Sequence, residues 1–331
     1  MALTKIPVSI LDRANARAGW TEAAALQSTV ERAQRAERLG YRRFWVAEHH
    51  GVPGITGSAP TVLMAALAAA TESIRIGSGG IMLPNHQPLV VSEQLATLEA
   101  LFGGRIDAGL GRSLGFTSGV RRALGADRED AARFEEDLGS LLDYLSGTSA
   151  ITARPANRAQ TPVFVLATGA GVDIAARAGL AVVFGGPGLF RAPEGGEQPL
   201  TRYRRMFRPS RWYAEPHIIV SANIAVGSSA AAARDLLLPE AWALALSRTR
   251  GEFTALQPAT ELDTGQTTDR EQRFVEQNLE MAIYGTEGEV HRRLDDLVVS
   301  TGANELLVTG GAYDVGAQLE SDARIIKILE G

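Results

Sequence analysis

RIGSGGIMLPNHQPLVVSEQLATLEALFGGRIDAGLG, residues 75–111, holds a strand, a helix and the next strand. RIGSGGIML (75–83) and RIDAGLG (105–111) are short apolar runs laced with glycine, and PLVVSEQLATLEALF (88–102) between them has helical length. Two strands joined through a helix belong to a parallel sheet.

The same alternation runs outward in both directions. Upstream lie the strand IPVSIL (6–11), a helix from Thr21 to Leu39 with Ala25, Val30, Ala33, Ala36 and Leu39 on one side, and Gly40 as its stop. The strand FWVAE (44–48) follows, then the helix SAPTVLMAALAAATES (58–73), with Ser58 as cap and Pro60 in its first turn. Downstream come a helix around 130–145, VFVLA (163–167), a helix around 172–178, AVVFGG (181–186) and a helix around 197–207. HIIVSANIAV (217–226) precedes helices over 228–247 and 270–281; Thr286 and Glu289 form a capping box for 287–299. ELLVTG (305–310) and a helix over 314–328 complete the series. Eight strands, each followed by helix, predict an α/β chain folded as a (β/α)8 TIM barrel, one domain over 1–331. Long connections at 112–130 and 186–215 are insertions after strands four and six. A doubly wound open sheet is the other arrangement this alternation allows. The strands are rich in Val, Ile and Leu, as parallel strands covered on both faces should be.

Composition narrows the chemistry. The chain has no cysteine, which excludes disulfides, thiolate metal sites and cysteine nucleophiles. Its formal net charge of −5 gives no electrostatic footprint for nucleic acid. No basic-then-apolar leader and no apolar run of ~18 residues is present, so a cytoplasmic protein without membrane contact is expected. The run Val62–Ala70 is apolar all round, unlike a barrel helix with one wet face; it predicts a subunit interface.

In a barrel the chemistry gathers where strands end. Those positions here are Glu48-His49-His50, Gly77-Ser78-Gly79-Gly80, Gly109-Leu110-Gly111-Arg112, Ala167-Thr168-Gly169-Ala170-Gly171, Ser221 with Asn223, and Thr309-Gly310-Gly311. Glycine at so many ends permits close approach of a large flat ligand to the backbone. Arg112 and the turn 168–172, which opens a helix, together suit one phosphate. G-A-G at 169–171 is not a dinucleotide fingerprint, because Ile174 stands where the third glycine belongs. Adjacent strand residues point to opposite sides, so His49 and His50 do not readily share an ion. The remaining histidines, His86, His217 and His291, complete no metal-ligand spacing, and no metal is expected. One histidine facing the mouth is left as a proton donor or acceptor. Arg202, Arg204, Arg205, Arg208 and Arg211, near Tyr203, Phe207 and Trp212, read as a solvated helix face or a lid.

FWVAEHH, RIGSGGIMLPNHQP, GGRIDAGLGR and the late strand NELLVTGGAYD resemble the bacterial luciferase-like flavin monooxygenases, in nearly the whole order of elements. Within that family the chain looks most like single-chain members that tailor natural products such as aromatic polyketides. The resemblance implies a (β/α)8 barrel, dimeric through the helices 58–73 and 88–102. It implies reduced FMN supplied by a separate reductase or, in one branch, the deazaflavin F420. It also implies a non-prolyl cis peptide at Gly79-Gly80. His49 matches the catalytic histidine, with Glu48 and His50 as its support. Glu48, Gly79, Gly80, Arg112, Thr168 and Gly169 match the flavin pocket, with Arg112, Thr168 and Gly169 at its phosphate. Gly111 stands where luciferase proper has its reactive cysteine, and GRSLGFTSG replaces the usual GRAPGTDP. The expected activity is two-component oxygenation of an organic substrate by reduced FMN and O2: hydroxylation, epoxidation or Baeyer–Villiger oxidation. An F420-dependent oxidoreductase and a non-catalytic flavin-binding protein are the alternatives.

Overall fold

The computed structural model describes residues 6–156, 161–190, 197–262 and 267–330. In chain order the first half runs β1 (Val8–Asp12), α1 (Glu22–Arg38), β2 (Arg43–Val46), α2 (Pro60–Ala70), β3 (Arg75–Ser78), β4 (Ile81–Met82), α3 (Pro88–Leu101), β5 (Ile106–Gly111), α4 (Ser118–Leu124), α5 (Arg128–Ala132) and α6 (Phe134–Ser146). The second half runs β6 (Val163–Ala167), α7 (Gly171–Ala178), β7 (Ala181–Gly185), α8 (Pro199–Met206), β8 (Ile218–Val226), α9 (Ala230–Arg250), α10 (Asp269–Glu280), β9 (Ile283–Gly285), α11 (Glu287–Thr301), β10 (Glu305–Thr309) and α12 (Val315–Glu330). The strand order is β10-β1-β2-β3-β5-β6-β7-β8, and β8 pairs with β10. The sheet closes on itself, so the fold is a (β/α)8 TIM barrel and not an open doubly wound sheet.

Chain contacts group into two compact units. The first takes Met1–Phe44, Val52–Gly57 and Val220–Gly331. Within it β1 lies parallel to β10, with Val8 opposite Leu306 and Ile10 opposite Val308. A hydrophobic cluster joins α9 to α10 through buried Leu237, Leu238, Ala241, Val275 and Leu279. The second unit takes Trp45–Gly51 and Ser58–Ile219. Here β5 pairs with β3, β4 and β6, and β6 with β7, all parallel. The Trp45 ring meets Phe164 edge-on at 4.9 Å, and its indole N–H donates to Asp107 Oδ2 at 3.1 Å. That bond meets the polar need of a fully buried tryptophan.

The eight barrel strands fall where the apolar runs predict them. Several boundaries differ, for local reasons. The run 75–83 is two strands, β3 and β4, separated by a cis peptide between Gly79 and Gly80. β2 stops at Val46, so Glu48 lies just past the strand. Ser58 does not cap α2: Ala59 holds that position without a side-chain bond, and Pro60 opens the helix. The connection 112–130 contains α4, capped by Thr117, and the helix expected around 130–145 is split into α5 and α6. The connection 186–215 contains α8; residues 191–196 within it lie outside the described residues. The Thr286–Glu289 capping box forms as read: the Thr286 N–H donates to Glu289 Oε2 at 2.8 Å. Met64, Leu67 and Ala68 of α2 are buried, while Val62 is 70% exposed. No helix among the described residues is long and apolar enough to cross a membrane.

Candidate active site

Every residue singled out at the ends of β2 to β6 falls in the second unit. The Gly79 N–H donates to Val46 O at 2.8 Å, tying the cis peptide to the end of β2. On either side of that peptide, β3 and β4 both pair with β5: Ile76 lies opposite Ile106, and Ile81 opposite Leu110. The glycines of this region serve two ends. A Cβ on Gly109 would lie 1.9 Å from Ser78 O, one on Gly80 2.8 Å from Gly109 O, and one on Gly77 2.5 Å from the Trp45 indole nitrogen. These three glycines let neighbouring strands approach each other. Around Gly169 there is nothing within 4 Å of such a Cβ. The direction a Cβ would take is open at Gly169 and filled by the adjacent strand at Gly80.

Glu48 is 2% exposed. Its Oε1 accepts from His50 Nε2 at 2.6 Å and from His86 Nε2 at 2.8 Å, and its Oε2 accepts the Met82 N–H at 2.9 Å. Burial pushes its carboxyl up, but the bond and charge of His86, then the bonds from His50 and the Met82 amide, hold it below the ordinary value. This arrangement alters the expected roles. Glu48 supports His50 and His86. His86 had no assigned part; it stands 38 positions from Glu48 and is carried there by the turn after β4. Its signal was nonetheless present, inside the motif RIGSGGIMLPNHQP.

The ligand atoms of Glu48, His50 and His86 lie within 4.8 Å of one another, as a three-ligand metal site would require. The adjacency argument applies to His49 with His50, and leaves His50 with His86 open. The spacings decide between an ion and hydrogen bonds. Ligand atoms ~2.0–2.1 Å from a tetrahedral ion stand about 3.3 Å apart. Separations of 2.6 and 2.8 Å are those of charge-assisted hydrogen bonds.

His49 is half-buried, and its ring lies 6.4 Å from that of Phe116, tilted by 35°. Phe116 is 57% exposed, a large apolar ring left at the surface. Its loop is held by Arg121, whose Nη1 donates to Gly115 O at 3.0 Å, and by Thr117, which accepts the Val120 N–H at 3.2 Å. A Cβ on Gly51 would lie 2.8 Å from Val120, so the segment after His50 and the α4 loop touch closely. Sequence reasoning missed Phe116, because it falls in a connection without periodicity.

Leu110 of β5 lies opposite Val165 of β6, so Arg112 and Thr168 follow the ends of adjacent strands. Arg112 is exposed and makes no ion pair or hydrogen bond among the described residues. Thr168 is exposed too, and Gly169 is half-buried in the turn that opens α7. The arginine run is a solvated face in part: Arg202 pairs with Asp173 at 2.6 Å and Arg205 with Glu197 at 2.7 Å. Tyr203, in contrast, is buried and donates to Leu180 O at 2.7 Å.

The profile described as luciferase-like monooxygenase matches residues 6–305. A luciferase-like monooxygenase of Escherichia coli K12 is 34% identical over 96% of this chain and 95% of its own. The crystal structure of apo-MsnO8 superimposes with a TM-score of 0.83 at 28% identity, covering 98% of each chain. At 16% identity the fold also matches the oxygenating constituent of 3,6-diketocamphane monooxygenase in complex with FMN, with a TM-score of 0.73 over 99% of this chain and 97% of that one.

Proposed function

Since the chain belongs to the luciferase-like monooxygenase family, we propose that it inserts one oxygen atom of O2 into an organic molecule, using reduced FMN from a separate reductase. The observation that carries this reading is the guanidinium of Arg112, without a partner among the described residues and exposed one strand away from the open Thr168-Gly169 turn. An exposed guanidinium beside open backbone is the donor set a flavin phosphate needs. Arg112, Thr168 and Gly169 would hold the phosphate, and Gly79 and Gly80 would lie along the ring. When bound, reduced FMN supplies the two electrons that activate O2.

The chain's own part is binding, shielding and proton handling. His49 is the residue that gives or takes a proton at a ring nitrogen. Phe116 shields His49 from water and offers an apolar wall to the substrate, which an aromatic polyketide would suit. The substrate is selected by the connections 112–130 and 186–215. The exposed Val62, Val90 and Leu101 of α2 and α3 support a homodimer through these helices. Val62→Arg should turn the dimer into a monomer in sedimentation; a monomeric wild type sinks this part.

Fluorescence titration with FMN, reduced FMN and F420 tests the main reading. Reduced FMN should bind, and Arg112→Ala should weaken it about 10- to 100-fold, the worth of a lost charged contact. Binding of F420 alone replaces the monooxygenase with a deazaflavin oxidoreductase; no binding of any flavin ends all these readings. Binding without accelerated O2 consumption leaves a flavin carrier. His49→Ala should spare binding and slow turnover about 100-fold or more; unchanged turnover removes His49 from its role.

A further inference from the structure

The bonds around Glu48 carry more than support. An ionised carboxylate has no proton to give, so both imidazoles must donate through Nε2–H. In each neutral ring, Nδ1 then keeps its lone pair. One oxygen atom therefore sets the same tautomer in two histidines. A proton taken up at either Nδ1 makes an imidazolium beside the carboxylate. With one carboxylate between two rings, only one such charge is matched at a time. The side chains of His50 and His86 stay 21% and 31% exposed while Glu48 is closed off. The Met82 amide fixes the other carboxylate oxygen, and Met82 closes the short strand that follows the Gly79-Gly80 peptide.

We infer that Glu48, His50 and His86 work as a one-proton relay for the proposed oxygenation, with Glu48 as the positioning residue and the two imidazoles as carriers. The inference rests on the monooxygenase reading. Inserting one atom of O2 into an organic molecule leaves the other as water, which takes up two protons along with the two electrons of a reduced flavin. Without an acceptor, the same electrons and protons leave as hydrogen peroxide. The relay supplies one of these protons. An imidazolium Nδ1–H gives its proton to the reduced oxygen, the ring returns to the neutral Nε2–H form, and solvent refills it. Neither ring needs to turn, because Glu48 holds the Nε2–H edge throughout.

The test begins without flavin. In 15N-histidine NMR of the wild-type chain, His50 and His86 should both show a protonated Nε2 and a bare Nδ1 at alkaline pH. Glu48→Gln should break this pattern. A glutamine oxygen turned to the rings sets its NH2 against the Met82 N–H, and the flipped amide offers donors to rings that also donate. The His50→Asn/His86→Asn double variant keeps two N–H donors for Glu48 but no proton carrier. With protein in excess, single-turnover oxidation of bound reduced FMN should slow about 100-fold in it, while its affinity for reduced FMN is unchanged. A structural role alone predicts full speed, and that result overturns the relay. An Nδ1–H tautomer in either wild-type ring also overturns it, as does stoichiometric Zn2+ uptake that removes both Nε2 protons. A chain that binds no flavin overturns the oxygenation reading and the relay's task with it. The wrong tautomer in a flavin-binding chain overturns the relay alone.

Discussion

Two buried glutamates stand at opposite ends of their strands and are held in opposite ways. Glu305 opens β10, where Ser9 donates to it at 2.5 Å and Arg43 at 2.9 Å. Glu48 follows the end of β2 and is held by two imidazoles and an amide. Burial pushes the Glu305 carboxyl up, and Arg43, Ser9 and Arg42 only partly offset it. For Glu48 the partners outweigh burial, and its carboxyl stays low. One carboxylate is locked by a guanidinium; the other is held by two imidazoles, side chains that can both give and accept a proton. The strand start is thus built for permanence and the strand end for exchange, the division expected of a barrel.

The largest test of that contrast is Arg43→Met. Arg43 and Glu305 have side chains 5% and 0% exposed, and the variant leaves the carboxylate with the half-exposed Arg42 at 3.5 Å. Urea denaturation should show a loss of about 3–5 kcal/mol; a loss under 1 would mean the lock is not a lock. Next is Gly109→Ala, which sets a Cβ against Ser78 O and should cost about 1–3 kcal/mol in the same measurement. The pH dependence follows, with slopes of at most about 1.4 kcal/mol per pH unit for each group. Glu48 binds its proton less readily when folded, so its contribution is complete above about pH 4.3 and fades as pH falls further. Glu305 binds its proton more readily when folded, so the folded state gains as pH falls through that raised value toward about pH 4.3. Wild type compared with Glu48→Gln and with Glu305→Gln should give slopes of opposite sign; equal signs would erase the contrast. The smallest effect is that of Gly169→Ala, within about 0.5 kcal/mol, because nothing lies near the added methyl.

How much was legible follows the range of each interaction. The barrel was, because parallel strands covered on both faces must be apolar runs, and FWV, VFVLA and ELLV are such runs. The positions of Arg112 and the 168–172 turn were, because each follows directly from a strand end. The Glu48–His86 contact was not, since the cis peptide and the short β4 decide where His86 arrives. The glycines were half legible. Sequence marks them as special but does not say whether a ligand or the adjacent strand needs the room. The three-way break of residues 118–146 into α4, α5 and α6 was hidden because its caps, Thr117 and Asp127, sit in a stretch without apolar rhythm.

The pairing of β1 with β10 sets a schedule for the chain as it leaves the ribosome. Ser9 and Glu305 stand 296 positions apart. At about 5–20 residues per second, β1 waits roughly 15–60 s for β10, the later of its two partner strands. Over most of that interval, VSIL presents an unpaired apolar edge, while the strands from β3 to β7 find partners among near neighbours in the chain. The first strand of the barrel is among the last to be satisfied on both edges, and it is a segment a chaperone would have reason to hold.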